Sequence, residues 1–137
     1  MITAAQLIDE ALTWINTPFQ ANQSCKGAGA DCIGVIAGIA RNCGISIQYR
    51  NDYPMRPDGS LRRELNAQMT QINFGIQDAD VLMMTFEGEP HHVGMYVGNG
   101  QLLHSYMQVR KCIAQPFTKY WRDRVIGVYR FRELINV

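Results

Sequence analysis

Several features are scarce or missing in this 137-residue chain. No stretch is apolar for long enough to span a bilayer, so no membrane association is expected. The N-terminus, Met1-Ile2-Thr3-Ala4-Ala5-Gln6, has no basic region ahead of an apolar core. The expectation is therefore no signal peptide and synthesis in the cytoplasm. Net charge is only +1, which removes any electrostatic pull toward nucleic acid or an anionic surface. Charged residues make up 18% against 47% hydrophobic, a balance that excludes disorder and supports a packed core. No Cys-x-x-Cys pair exists, which argues against a structural zinc ribbon. The cysteines, Cys25, Cys32, Cys43 and Cys112, could form disulfides, but a chain this apolar does not need them. Internal repeats and low-complexity tracts are absent, so residues 1–137 read as one domain.

What is present centres on Gly29-Ala30-Asp31-Cys32-Ile33-Gly34. The glycines of Lys26 to Gly29 cannot form a stable helix interior, whereas Ile33 to Asn42 is an apolar helix former. Asp31 suits the N-cap and Gly44 the position just past the C-terminus. Cys32 then sits in the first turn, where the helix dipole favours thiolate, the nucleophilic form. The competing reading of Cys32 is a small buried hydrophobe.

Around this segment the chain alternates between legible and opaque stretches. Thr3-Ala4-Ala5-Gln6 fits a capping box, and Ile2, Leu7, Ala11, Leu12 and Ile15 follow helical spacing up to Thr17-Pro18. Phe19 to Ala30 reads as a loop. Ile45 to Gly59 carries turn chemistry and reads as a surface loop lining a cleft. Leu61 to Thr70 reads as a helix with Ser60 as N-cap. Val81 to Phe86 reads as a central strand broken by Glu87-Gly88-Glu89-Pro90, and Val125 to Phe131 as the last strand. Lys111-Cys112-Ile113 continues as a strand, and Phe117 to Trp121 packs near an edge. Helices that precede the strands rather than alternate with them imply an α+β fold with a mostly antiparallel sheet.

The stretch His91 to Tyr106 contains every histidine of the chain and reads as a hairpin around Asn99-Gly100. A two-residue loop would put His92 and His104 on opposite faces. A three-residue loop, Gly98 to Gly100, puts Gly94 opposite His104 and sets His92 and His104 on one face as diagonal neighbours. The three-residue loop is favoured because its third residue takes the left-handed conformation that Gly100 tolerates. A cysteine nucleophile needs a base in reach, and the base needs an orienting partner. Cys32, His92 and His104 supply the three parts, and N–H groups at the start of the Cys32 helix are natural oxyanion donors. The same three residues are metal ligands by type, but no carboxylate or second thiolate accompanies them, so no metal and no cofactor is expected. His91 reads as a solvated residue at a strand start.

Asp31-Cys32-Ile33-Gly34 at a helix start, followed by His92-Val93-Gly94-Met95-Tyr96-Val97-Gly98-Asn99-Gly100-Gln101-Leu102-Leu103-His104-Ser105, resembles the NlpC-type family of bacterial cell-wall cysteine peptidases. Thr17-Pro18-Phe19 and Asp78-Ala79-Asp80-Val81-Leu82 are similar to two further segments of the family, and the resemblance runs from Ala11 to Phe131. Phe19 stands where the family often has tyrosine, and Ala79 where it has glycine. The resemblance implies a papain-like fold with helices packed on an antiparallel sheet. It implies Cys32 as nucleophile, His92 as base and His104 as third polar residue, with Asp31, Ile33 and Phe19 shaping the site. The implied reaction is hydrolysis of an amide in the peptidoglycan stem peptide, commonly between D-γ-glutamate and a diamino acid. The segment from Trp121 to Phe131 is similar to the phage-encoded branch, which implies phage tail proteins as partners and delivery to the cell wall with a tail. Two other functions fit the same residues: a tail structural component with a vestigial site, and an acyltransferase using the same thioester.

Overall fold

Thr3 opens the first helix through a complete capping box: its hydroxyl accepts the Gln6 N–H at 3.1 Å, and the Gln6 side chain accepts the Thr3 N–H at 2.9 Å. In this computed structural model residues 2–54, 58–86 and 89–135 are described. The elements run β1 (Ile2–Thr3), α1 (Ala4–Leu12), β2 (Ser24–Cys25), β3 (Gly29–Ala30), α2 (Cys32–Asn42), α3 (Ser60–Gln68) and β4 (Thr70–Ile72). They continue with β5 (Val81–Phe86), β6 (Glu89–Tyr96), β7 (Gln101–Tyr106), β8 (Lys111–Pro116), α4 (Lys119–Arg122), β9 (Val125–Arg130) and β10 (Leu134–Ile135). The three longer helices, α1 to α3, precede all six strands of the main sheet, an α+β arrangement.

The sheet has six strands in the order β4-β9-β5-β6-β7-β8, and each pairing described is antiparallel. One face packs on the helices through Leu7, Val35, Ile36, Ile39, Leu65, Val81, Met83, Val93, Met95 and Leu103. The other face carries Leu82, Met84 and Leu102, covered by Phe117 and Trp121. The strands therefore alternate between two apolar layers, as burial on both faces requires. Arg130 and the fully buried Asp80 tie β9 to the start of β5 by two parallel N–H to carboxylate bonds of 2.8 Å each.

Several boundaries differ from expectation. Helix α1 ends at Leu12, so the chain turns early. Trp14 is fully buried instead of Ile15, which is exposed along with Leu12. The Trp14 ring lies where a Cβ on Gly38 would come within 2.1 Å, so α2 approaches it only because residue 38 has no side chain. Ser60 lies inside α3, with Gly59 at the cap, and Asp58 accepts the Ser60 N–H. Of the expected break after β5, Glu87 and Gly88 lie outside the described residues, while Glu89 and Pro90 belong to β6. Arg56 and Pro57 of the expected turn also lie outside them. Strand β9 is not the last, because β10 returns to pair in parallel with β1.

The hairpin register is the three-residue one. Met95 pairs with Leu103 and Tyr96 with Leu102, and Val97 N–H donates to the Gln101 carbonyl at 3.0 Å. Gly98, Asn99 and Gly100 all take positive φ, with Gly100 at 71°.

Candidate active site

Asp31 holds the start of α2. Its side chain accepts the Gly34 N–H at 2.7 Å, and its other oxygen accepts the Asn22 N–H at 2.7 Å. Cys32 is consequently the first residue of the helix, as the sequence implied. The short hairpin of β2 and β3 delivers it: Ala30 N–H bonds the Pro18 carbonyl, and the Ser105 hydroxyl bonds the Ala30 carbonyl at 2.8 Å. Ser105 lies on β7, so the loop before the cysteine is fastened to the sheet.

The ladder between β6 and β7 stops at Met95 and Leu103, while β6 stays paired to β5 and β7 to β8. The sheet forks there. His92 on β6 and His104 on β7 flank the fork and bridge it, with His92 Nε2 2.7 Å from His104 Nδ1. Even-numbered N–H groups of β6 point toward β5, as Tyr96 N–H to the Asp80 carbonyl shows. Odd-numbered ones point toward β7, so Val93 N–H faces the fork with no ladder partner. It lies near enough to the Cys32 sulfur to favour the thiolate. That proximity brings Cys32 near the residue next to His92. Among the described residues no hydrogen bond joins the Cys32 sulfur to an imidazole.

Burial dominates the electrostatics. Cys32 is 9% exposed, and its thiol is pushed up to about 12, first by burial and then by the Asp31 charge. The N–H groups of Val93, Ile33 and Cys32 itself oppose this but do not overcome it. The expectation that the helix start favours thiolate is therefore corrected: desolvation outweighs a dipole effect worth about 1 kcal/mol. Burial also holds His92 well below its usual range, helped by the neighbouring His104 and His91, and it lowers His104 against the opposing bond from Gln115. The resting site is thus a neutral thiol beside neutral imidazoles. Phe86, Tyr106 and Trp121 surround the two rings, with Tyr106 stacked on His104 at 5.1 Å and Trp121 edge-on at 4.8 Å.

A cavity of about 370 Å³ is lined by Ile33 and Val93, the chain neighbours of Cys32 and His92, while Cys32, His92 and His104 themselves are not part of its lining. Its floor is Ile36, Ala37, Ile47, Leu61, Leu65 and Met69, and Arg50, Arg63 and Glu64 stand on its wall. Residues 47–50, 52–54 and 58 line it, so the loop after α2 does face a cleft. Ile33, expected from the sequence to shape the site, lines this cavity. Phe19 is half-buried, with its N–H on the Arg110 carbonyl at 2.8 Å, and among the described residues its ring does not contact His92 or His104. The ring of His91 packs on Phe86 at 5.2 Å.

Two residues at the site escaped sequence reasoning. The Tyr53 hydroxyl donates to Asp31, 2.5 and 2.6 Å from its two oxygens, and Tyr49 shares a 3.2 Å bond with Tyr53. Gln115 Oε1 lies 2.9 Å from His104 Nε2. Neither belongs to a motif. The turn residues around Tyr53 and the strand position of Gln115 carry no chemical signal until the chain is folded.

These features define the class: a papain-like cysteine peptidase fold, with a cysteine at a helix N-terminus and two histidines on the adjoining sheet. The NlpC/P60 family profile matches residues 17–130, and the chain belongs to the NlpC/P60 family. An NlpC/P60 family protein from Bacillus cereus superposes with a TM-score of 0.74 at 23% identity, over 95% of this chain and 40% of that one. The NlpC/p60 domain of the peptidoglycan hydrolase SagA gives 0.70 at 18% identity, over 95% of this chain and 100% of that one. The peptidoglycan hydrolase RipB from Mycobacterium tuberculosis gives 0.65 at 21% identity, over 93% of this chain and 64% of that one. No curated protein matches the chain by sequence. Ala79 takes a left-handed φ of 72°, a conformation that costs a non-glycine residue about 1 kcal/mol.

Proposed function

We propose that this chain is a cysteine peptidase that hydrolyses an amide bond of the peptidoglycan stem peptide, between D-γ-glutamate and a diamino acid. The observation that carries the reading is the fork of β6 and β7. It brings His92 and His104 within 2.7 Å of each other beside the helix start that holds Cys32. Membership of the NlpC/P60 family and likeness to peptidoglycan hydrolases support the substrate class. Delivery to the wall with a phage tail belongs to the same proposal and rests on the sequence resemblance alone.

In this reading the substrate acyl group lies along the cavity bounded by Ile33 and Val93. His92 takes the Cys32 thiol proton as the sulfur attacks the scissile carbonyl carbon. The N–H groups of Cys32 and Ile33, which favour the thiolate at the start of the helix, bond the oxyanion in this reading. When the C–N bond breaks, the His92 imidazolium gives its proton to the departing amine, leaving a thioester on Cys32. Water, deprotonated by His92, then attacks the thioester and releases the acid and the free thiol. His104 holds the His92 ring throughout, as the third member of other triads does. Because both partners rest neutral, proton transfer accompanies the attack on the carbonyl and does not precede it.

The test is incubation of the purified protein with diaminopimelate-containing muropeptides in the presence of a chelator, read by mass spectrometry. A new pair of masses, lost in Cys32→Ala with the fold intact, is expected. Cleavage that survives Cys32→Ala would sink the proposal.

A further inference from the structure

We infer that Gln115 is a positioning residue that sets, through His104, the tautomer in which His92 works as a base. The inference rests on the reading of His92 given above. In the β7–β8 ladder Leu102 pairs with Gln115 and His104 with Ile113. Gln115 is thus the diagonal neighbour of His104 on the same face of the sheet, within side-chain reach. It stands on the side of His104 away from β6, so the three side chains form one line: Gln115, His104, His92.

The direction of this line follows from what each atom can do. Gln115 turns the acceptor end of its amide, Oε1, toward His104, and in this orientation the His104 nitrogen 2.9 Å from it, Nε2, carries the proton. A neutral imidazole has one N–H, so His104 Nδ1 is an acceptor. His92 Nε2, at 2.7 Å, must then donate to it. That leaves His92 Nδ1 bare, with a lone pair free to take a thiol proton. Burial keeps both rings neutral, so each carries a single N–H. Two histidines alone would not choose. Each ring could donate to the other, and the reversed arrangement would leave a proton on His92 Nδ1, where it could not act as a base. Tyr106 and Trp121 present ring faces and edges to His104, so Gln115 supplies the polar contact at Nε2.

The experiment uses the ¹⁵N-labelled full chain without substrate. Long-range ¹H–¹⁵N imidazole spectra at pH 7.5 report which nitrogen of each ring is protonated. Wild type is expected to show His92 and His104 both as Nε2–H tautomers. Gln115→Glu keeps an acceptor and should keep both tautomers. Gln115→Met keeps the length and removes the acceptor. Without that acceptor each arrangement leaves one buried N–H without a partner, so the Nε2–H form loses its advantage and Nδ1–H forms of both rings should appear beside it. Turnover of muropeptide should fall about tenfold in kcat for Gln115→Met, with little change in KM, and return in Gln115→Glu. An Nδ1–H form of His104 in the wild type would overturn the inference, and so would unchanged tautomers in a folded Gln115→Met. Should Gln115→Met fail to fold, the wild-type and Gln115→Glu spectra decide. Because the spectra need no turnover, a protein that cleaves no muropeptide refutes the proposed function without touching this inference.

Discussion

Alkylation of Cys32 separates two ways of running the same nucleophile. In an ion-pair site the cysteine is already thiolate and labels quickly over a broad range of pH. Here burial and the Asp31 charge raise the thiol from an ordinary 9.0 to about 12. That rise lowers the thiolate population about 10³-fold at neutral pH. The more basic thiolate is also the better nucleophile, and a Brønsted slope near 0.45 restores roughly 20-fold of that loss. The net expectation is labelling about 50-fold slower than an ordinary thiol, with restricted access slowing it further. Cys25 is exposed and provides the internal reference. The assay is iodoacetamide labelling from pH 5 to 10, with each cysteine quantified by peptide mass spectrometry. Cys32 should lag Cys25 at pH 7.5 and speed up about tenfold per pH unit with no plateau below pH 9. Asp31→Asn should speed Cys32 at a given pH, because it removes a charge that disfavours the thiolate. A fast plateau between pH 5 and 8 would refute the neutral-pair reading and with it the concerted proton transfer. The same neutral pair places the acid limb of kcat/KM below pH 6.5. His92 must be unprotonated to act, and burial already holds its pKa well under that value.

Two stability changes test the scaffold. Gly38→Ala puts a methyl 2.1 Å from the buried Trp14 ring and should destabilise by about 1–3 kcal/mol, read from urea denaturation. A variant as stable as wild type would show that α2 and Trp14 separate freely. Arg130→Met leaves the fully buried Asp80 carboxylate without its cation and should cost about 3 kcal/mol in the same assay. A loss below about 0.5 kcal/mol would place the pair among exposed ion pairs that contribute little.

Local chemistry was legible in the sequence wherever one short segment carries the whole signal. The Thr3-to-Gln6 capping box, the Asp31 cap, the start of α2 at Cys32 and the three-residue hairpin loop each depend on residues within a few positions of one another. Even the shared face of His92 and His104 followed from the loop length, because side chains alternate along a strand. The end of α1 was not legible, since burying Trp14 against Gly38 outweighs the helical spacing that placed Ile15 on the apolar face.

The sequence by itself determined which residues could be nucleophile and bases and which element presents each of them. Only the tertiary structure decided their state and their company. The thiol is held neutral because burial is a property of everything packed around Cys32, and no motif records it. The fork between β6 and β7, which leaves Val93 N–H without a ladder partner near the sulfur, arises where two strands part to follow different neighbours. Tyr53 reaches Asp31 from 22 positions away and Gln115 reaches His104 from 11, contacts that exist only once the loop and the edge strand have closed on the site.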